Sequence, residues 1–182
     1  MDIQNALALN GKEYEILRLL GRGKGGYTYL ARREGVDYAL KQIHHEPCDY
    51  YQFGDKLAAE LGDYERLRAL KVPVPELLEV DREGERLLKE LLPGETVYQL
   101  VLRGALEPWQ LEQVAALSRR LRAAGLNIDW FPTNFMCRNG MLYYVDYECN
   151  EYMEQWSFEH WGALYWSRTP EFDAYAREHG DL

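Results

Sequence analysis

The alternation of apolar and polar residues near the start of the chain predicts three β-strands. They are Tyr14–Leu20, Tyr27–Arg33 and Val36–Ile43. Glu34-Gly35 is a turn signal between the second and the third strand. The fold is therefore predicted to begin with a small antiparallel sheet.

The spacing of apolar residues becomes helical in residues 57–70. The apolar positions of this predicted helix are Leu57, Leu61, Tyr64 and Leu67. Pro73 and Pro75 mark its end. Two further strands, Leu77–Val80 and Arg86–Leu91, are then predicted to form a hairpin.

The pattern is more helical after Pro93-Gly94. A helix is predicted from Pro108 to about Ala124, and Gly125 is well placed as its C-terminal cap. Together the elements predict an α+β chain with a sheet-rich first part and a more helical second part.

Residues 135–145 are predicted to form another hairpin, because Asn139-Gly140 is the strongest short hairpin signal. The tail from Tyr152 is rich in tryptophan and is predicted to be helical. Its residues Trp156, Trp161 and Trp166 do not share one helical face. They are expected to anchor the tail onto the second part, and the alternative is an aromatic surface for a substrate or partner.

Composition and charge narrow the class of protein. The net charge of −9, from 21 basic and 30 acidic residues, disfavours direct nucleic-acid binding. The apolar runs are too short to cross a bilayer and the N-terminus lacks the pattern of a signal peptide. We therefore expect a cytoplasmic protein with no membrane contact.

The cysteines and histidines do not indicate a metal site. Three cysteines without a CxxC pair fit a reducing compartment. His44, His45 and Cys48 lie in one short segment with no second cluster, whereas a structural zinc site needs four ligands. A surface loop is the better interpretation of that segment.

Residues 21–26 form a glycine-rich segment between two predicted strands. A dinucleotide-binding loop would open a helix instead. A glycine turn between strands lets backbone N–H groups approach phosphates closely. The alternative is a flexible hairpin without a ligand.

Lys41 and Glu60 are charged residues at apolar positions. Lys41 lies on the third predicted strand, where it either reaches the solvent at an edge or needs a buried partner. Glu60 falls inside the apolar stripe of the predicted helix, where an unpaired carboxylate is costly. A Lys41–Glu60 ion pair would satisfy both residues, and Asp63 is the competing carboxylate.

Asp129, Asn134 and Asp146 flank the second hairpin. The hairpin begins beside Asn134 and ends beside Asp146, so both ends should return to one place. Two carboxylates and an amide provide the oxygen ligands that Mg²⁺ prefers. For each residue alone, an Asx turn is the alternative.

The order of these residues resembles the protein-kinase-like superfamily. The resemblance is carried by Gly21-x-Gly23-x-x-Gly26, Lys41, Glu60, Asp129-x4-Asn134 and Asp146. Residues 90–94 resemble the hinge that follows the fifth strand in that family. Several parts resemble small atypical kinases more than ordinary protein kinases; those relatives include aminoglycoside phosphotransferases, Rio-type kinases and the small kinase of the KEOPS complex.

The chain also departs from the family pattern. Asn127 stands where the family usually has His, and Tyr147-Glu148 follow Asp146 in place of Phe-Gly. Only 36 residues follow Asp146 in the sequence, so we expect the usual peptide-binding platform to be missing or replaced.

The resemblance implies a protein-kinase-like two-lobed α+β fold. Residues 1–92 would form a five-stranded antiparallel N-lobe with one helix, and residues 93–182 a reduced, mainly helical C-lobe. ATP and Mg²⁺ are the implied cofactors. The implied reaction transfers the γ-phosphate to a hydroxyl of a protein (Ser/Thr) or a small molecule.

The resemblance also implies a role for each motif residue. Gly21, Gly23 and Gly26 would cover the phosphates, Lys41 held by Glu60 would contact them, and Glu90 and Leu92 would bind adenine. Asn134 and Asp146 would hold Mg²⁺, and Asp129 would be the catalytic base. The alternatives are a pseudokinase or nucleotide-binding regulatory module, or an ATPase within a larger complex.

Overall fold

The structure of the chain is a computed structural model that describes residues 6–46 and 54–180. The fold is α+β and comprises two compact units. The first contains Met1–Leu61 and Pro75–Leu91, and the second contains Gly62–Val74 and Leu92–Leu182. The predicted division into residues 1–92 and 93–182 stays a prediction.

The first unit is built on one antiparallel sheet of six strands in the order β1-β2-β3-β4-β6-β5. The strands are β1 (Ala6–Leu9), β2 (Lys12–Arg22), β3 (Gly26–Arg33), β4 (Val36–Ile43), β5 (Leu77–Asp81) and β6 (Arg86–Glu90). The predicted sheet of five strands is therefore wrong. The additional strand is β1, which pairs with β2 from Leu9↔Lys12 to Ala6↔Glu15.

A two-residue turn explains β1. Asn10 and Gly11 have φ angles of 48° and 77°, the left-handed conformation that a type I′ hairpin requires at both central residues. Asn-Gly is the same signal that predicts the hairpin at Asn139-Gly140. No strand is predicted from the sequence before this turn, because β1 has only four residues.

The sheet is curled so that its two edge strands meet. The Asn10 side chain donates to the carbonyl of Val80 at 3.1 Å, and the Arg86 guanidinium donates to the carbonyl of Ala8. The Asn10 N–H also donates to Asp81 at 3.1 Å. Side chains therefore complete the contact between β1 and β5.

Helix α1 (Lys56–Ala69) follows the predicted periodicity. Leu57, Glu60, Tyr64 and Leu67 are all buried on it. Leu57 packs with Ile43 and Leu87 in the first unit, whereas Leu67 belongs to the core of the second.

The second unit combines helices with short strands. Its other helices are α2 (Val97–Leu102), α3 (Pro108–Ala123) and α4 (Pro170–His179). Its strands are β7 (Leu126–Asn127), β8 (Phe135–Arg138), β9 (Met141–Tyr144) and β10 (Asn150–Glu151). They form two antiparallel pairs, β7 with β10 and β8 with β9.

The short strands among the helices of the second unit differ from the predicted, mainly helical C-lobe. The expected protein-kinase-like two-lobed fold, with a five-stranded N-lobe, one helix and a mainly helical C-lobe, is wrong. In residues 152–180 of the tail, α-helix is found only in α4, and residues 154–156 and 162–165 form short 3-10 turns. No helix in residues 6–46 and 54–180 is long and apolar enough to cross a membrane.

The core of the second unit is rich in aromatic residues. Trp130, Phe135, Phe158, Trp166 and Phe172 are buried in it. Three of them come from the tail, so the tail completes the core. The expected anchoring role is confirmed for Trp166, which is 1% exposed, whereas Trp156 is 50% exposed.

Candidate functional site

The glycine-rich segment forms the turn between β2 and β3. The Gly23 N–H donates to the Gly26 carbonyl at 3.0 Å, which closes the turn. A Cβ on Gly26 would lie 2.3 Å from the Gln42 carbonyl oxygen, so glycine is needed where β3 approaches β4. Gly21 lies in β2, where it pairs with Thr28.

Two side chains tether this turn. The Lys56 ammonium, at the start of α1, donates to the carbonyls of Lys24 at 3.3 Å and His44 at 2.7 Å. The His44 ring contacts the Gly23 carbonyl at 3.1 Å. These contacts tie the turn to the start of α1 and to His44. Sequence reasoning missed Lys56, because its partners are carbonyls.

Lys41 and Glu60 form the predicted ion pair. The Lys41 ammonium lies 2.9 Å from Oε1 and 2.8 Å from Oε2 of Glu60. The two side chains are only 10% and 8% exposed. A Cβ on Gly25 would lie 3.6 Å from the Lys41 ammonium. A fixed cation thus lies directly beside the glycine turn, as a phosphate-binding site requires.

Asp63 has partners of its own. Its carboxylate accepts from Arg66 at 2.6 Å and from the Cys149 N–H at 3.1 Å. Burial, together with the nearby Asp63 charge, raises the pKa of the Cys149 thiol to about 12. Asp63 therefore holds the segment that follows Asp146.

The hairpin of β8 and β9 brings Asn134 and Asp146 together, as predicted. Phe135 pairs with Tyr144, and the Val145 N–H donates to the Asn134 carbonyl at 2.9 Å. The Asp146 carboxylate accepts from the Tyr147 N–H at 2.8 Å.

Asp129 lies in the same neighbourhood. Its side chain is exposed and accepts from the Phe131 N–H at 3.0 Å, which is the Asx turn of the alternative interpretation. Burial and the charges of Asp146 and Asp129 raise the pKa of the Tyr144 hydroxyl well above its ordinary value. Both carboxylates are therefore close to one buried tyrosine.

The side chains at this hairpin offer oxygen atoms, the type of donor that Mg²⁺ prefers. No group of three or more His, Cys, Asp or Glu side chains in the described part of the chain could hold a metal ion. The carboxylate of Asp146 and the amide of Asn134 are hard oxygen donors, and Mg²⁺ commonly binds one or two such protein groups and completes its shell with water and phosphate.

The remaining predicted residues have local structural roles. Glu90 ends β6, and its N–H donates to the Glu76 carbonyl at 2.8 Å. Leu92 is buried. The His45 ring contacts Glu85 at 2.6 Å, and Cys48 lies outside the described residues, so the segment considered as a metal site is described only in part.

No protein-family model matches the chain, and no curated protein matches it either. The functional argument therefore rests on the chain's own side chains.

Proposed function

We propose that the chain is an ATP-dependent phosphotransferase that moves the γ-phosphate of ATP to a hydroxyl of a protein (Ser/Thr) or of a small molecule. The observation that carries the proposal is the buried Lys41–Glu60 pair beside Gly25. Placing a lysine charge at an almost solvent-free position costs free energy. Apolar residues at the same place would often be as stable, so stability alone does not explain why the pair is there.

The first unit supplies groups for the phosphates. Backbone N–H groups of the turn at Gly23–Gly26 would approach phosphate oxygens, because glycines allow close contact. The Lys41 ammonium would neutralise phosphate charge, and the Glu60 carboxylate would keep that ammonium in place. Backbone groups around Glu90 and Leu92, other than the Glu90 N–H that donates to Glu76, would contact the adenine.

The second unit supplies groups for the metal and the acceptor. Asn134 and Asp146 would hold Mg²⁺, which when bound neutralises charge on the phosphates. Asp129 would orient the acceptor hydroxyl and accept its proton, a contribution of about 10²–10⁴ in rate for a general base. Its exposed carboxylate and its bond to the Phe131 N–H suit that role.

The test follows the label from [γ-³²P]ATP with Mg²⁺ and purified protein. The wild type should transfer label to itself or to an added hydroxyl acceptor. Asp146→Ala should abolish turnover, and Asp129→Asn should retain ATP binding but lose transfer by about 10²–10⁴. Asp173→Asn is the control, because Asp173 pairs with Arg168 on the surface.

The fate of the label separates the alternatives. Label released only as inorganic phosphate would identify an ATPase. ATP binding without any turnover would identify a nucleotide-binding regulatory module. Unchanged turnover in Asp146→Ala would contradict the assigned metal ligand.

A further inference from the structure

Asn127 is a buried amide two residues before Asp129. It is only 5% exposed and makes three hydrogen bonds. Its Oδ1 accepts from the Trp130 indole N–H at 2.7 Å. Its Nδ2 donates to the carbonyls of Trp156 at 2.8 Å and Met153 at 3.4 Å. One side chain thus joins the loop that carries Asp129 to a turn of the tail.

The chemistry of these partners explains why the residue is asparagine. The site presents one N–H donor and two carbonyl acceptors, so the side chain must accept once and donate twice. A primary amide does both. A neutral histidine ring offers one donor and one acceptor, and an ionised aspartate only accepts.

Neighbouring contacts make the same connection. The Trp166 indole donates to the Trp130 carbonyl at 2.7 Å. A Cβ on Gly162 would lie 2.6 Å from the Trp130 Cβ, so the tail packs closely against the residue that follows Asp129. In the backbone, Asn127 pairs with Asn150, and the Tyr152 N–H donates to the Gly125 carbonyl at 2.9 Å.

We propose that Asn127 is the positioning residue for Asp129, and that it acts by fixing the loop to the tail turn Met153–Trp156. The proposal rests on the phosphotransferase function for its catalytic part only. Asn127 itself would not touch the reactants. A small displacement of a general base lowers the rate without weakening the binding of a distant group.

The experiment compares Asn127→Asp and Asn127→His with the matched control Gln155→Ala. Gln155 is an exposed amide on the same tail turn. In Asn127→Asp, we expect kcat to fall about 10- to 100-fold while KM for ATP stays within about twofold. Asn127→His keeps one donor and one acceptor, so its kcat should fall less than that of Asn127→Asp. Gln155→Ala should match the wild type.

Amide hydrogen exchange is measured on the same proteins. Exchange should become faster at residues 129–134 and 153–157 in Asn127→Asp, and should not change in Gln155→Ala. Unchanged exchange at residues 129–134 would overturn the proposal, as would a rise in KM with no loss of kcat. If Asn127→Asp does not fold, Asn127→His is compared with Gln155→Ala by the same two measurements and should show both effects at smaller size.

The two readouts separate this proposal from the proposed function. A wild type without any transfer would contradict the function, and exchange would still decide whether Asn127 holds the loop. An active wild type whose loop exchanges normally in Asn127→Asp would contradict the positioning role alone.

Discussion

Lys41 and Glu60 show which site residues a sequence can reveal. Each is charged at a position where the apolar pattern of its element predicts burial, and Glu60 shares its helical face with Leu57, Tyr64 and Leu67. When two side chains of opposite charge both occupy positions expected to be buried, an ion pair between them is the predicted arrangement. Lys56 and Asn127 carry no such signal, because both donate to backbone carbonyls that only the folded chain brings near.

The pair provides a prediction that separates stability from activity. Lys41→Met leaves the Glu60 carboxylate buried without this partner and should lower the free energy of unfolding by about 3–5 kcal/mol. The double variant Lys41→Met/Glu60→Leu should recover most of that loss, because no charge then remains at the site. Urea unfolding measures both, and transfer from ATP should be lost in both.

Lys12→Met is the matched control for this prediction. Lys12 pairs with Glu79, but its side chain is 44% exposed, so its removal should change stability little. A double variant as unstable as Lys41→Met would show that the cost comes from lost packing.

At the scale of elements, β4 and the hairpin of β8 and β9 were predicted well, whereas β1 was not. β4 was predicted with its observed bounds, and β8 and β9 flank Asn139-Gly140 as expected. The curl of the sheet was not predicted, because it depends on contacts between residues about 70 positions apart, such as Asn10 and Val80. Local patterns do not encode those contacts.

Asp81 should make the curled sheet sensitive to acid. N–H groups of Gly84 and then Asn10 donate to its carboxylate and hold its pKa below the ordinary 3.8. The ionised form therefore stabilises the fold above about pH 4, and this contribution is lost as pH falls through the lowered pKa. Asp81→Asn should remove that part of the pH dependence.

Urea unfolding at pH 7 and pH 3 checks this prediction. Asp81→Ala should also be less stable at pH 7 by about 0.5–1.5 kcal/mol for each of the two hydrogen bonds lost from the Gly84 and Asn10 N–H groups. Glu13→Gln, at an exposed position on β2, is the control. An equal loss of stability with acid in wild type and Asp81→Asn would contradict the assignment.

At the scale of the whole molecule, the tail belongs to the core of the second unit. The spacing of its tryptophans could not show this, because burial of Trp166 depends on Trp130, Phe135 and Phe158. Truncation after Glu151 removes Phe158, Trp166 and Phe172 from that core. We expect the truncated chain to lose the cooperative unfolding of the second unit, measured by near-UV circular dichroism during urea denaturation.

Two single substitutions test the same point without truncation. Trp166→Ala should lower the free energy of unfolding by about 3–5 kcal/mol, as is typical for a buried aromatic residue. Trp156→Ala, at a half-exposed position, should cost far less. Equal effects would show that both tryptophans contribute alike to the core.

The curl of the first sheet also covers part of its two edge strands. An open edge strand presents backbone groups to which a strand of another molecule can add. Here the Asn10 side chain donates a hydrogen bond to the Val80 carbonyl on β5, and the Arg86 side chain donates one to the Ala8 carbonyl on β1. Those carbonyls are engaged within the molecule, so we expect these positions to be poor acceptors for an added strand.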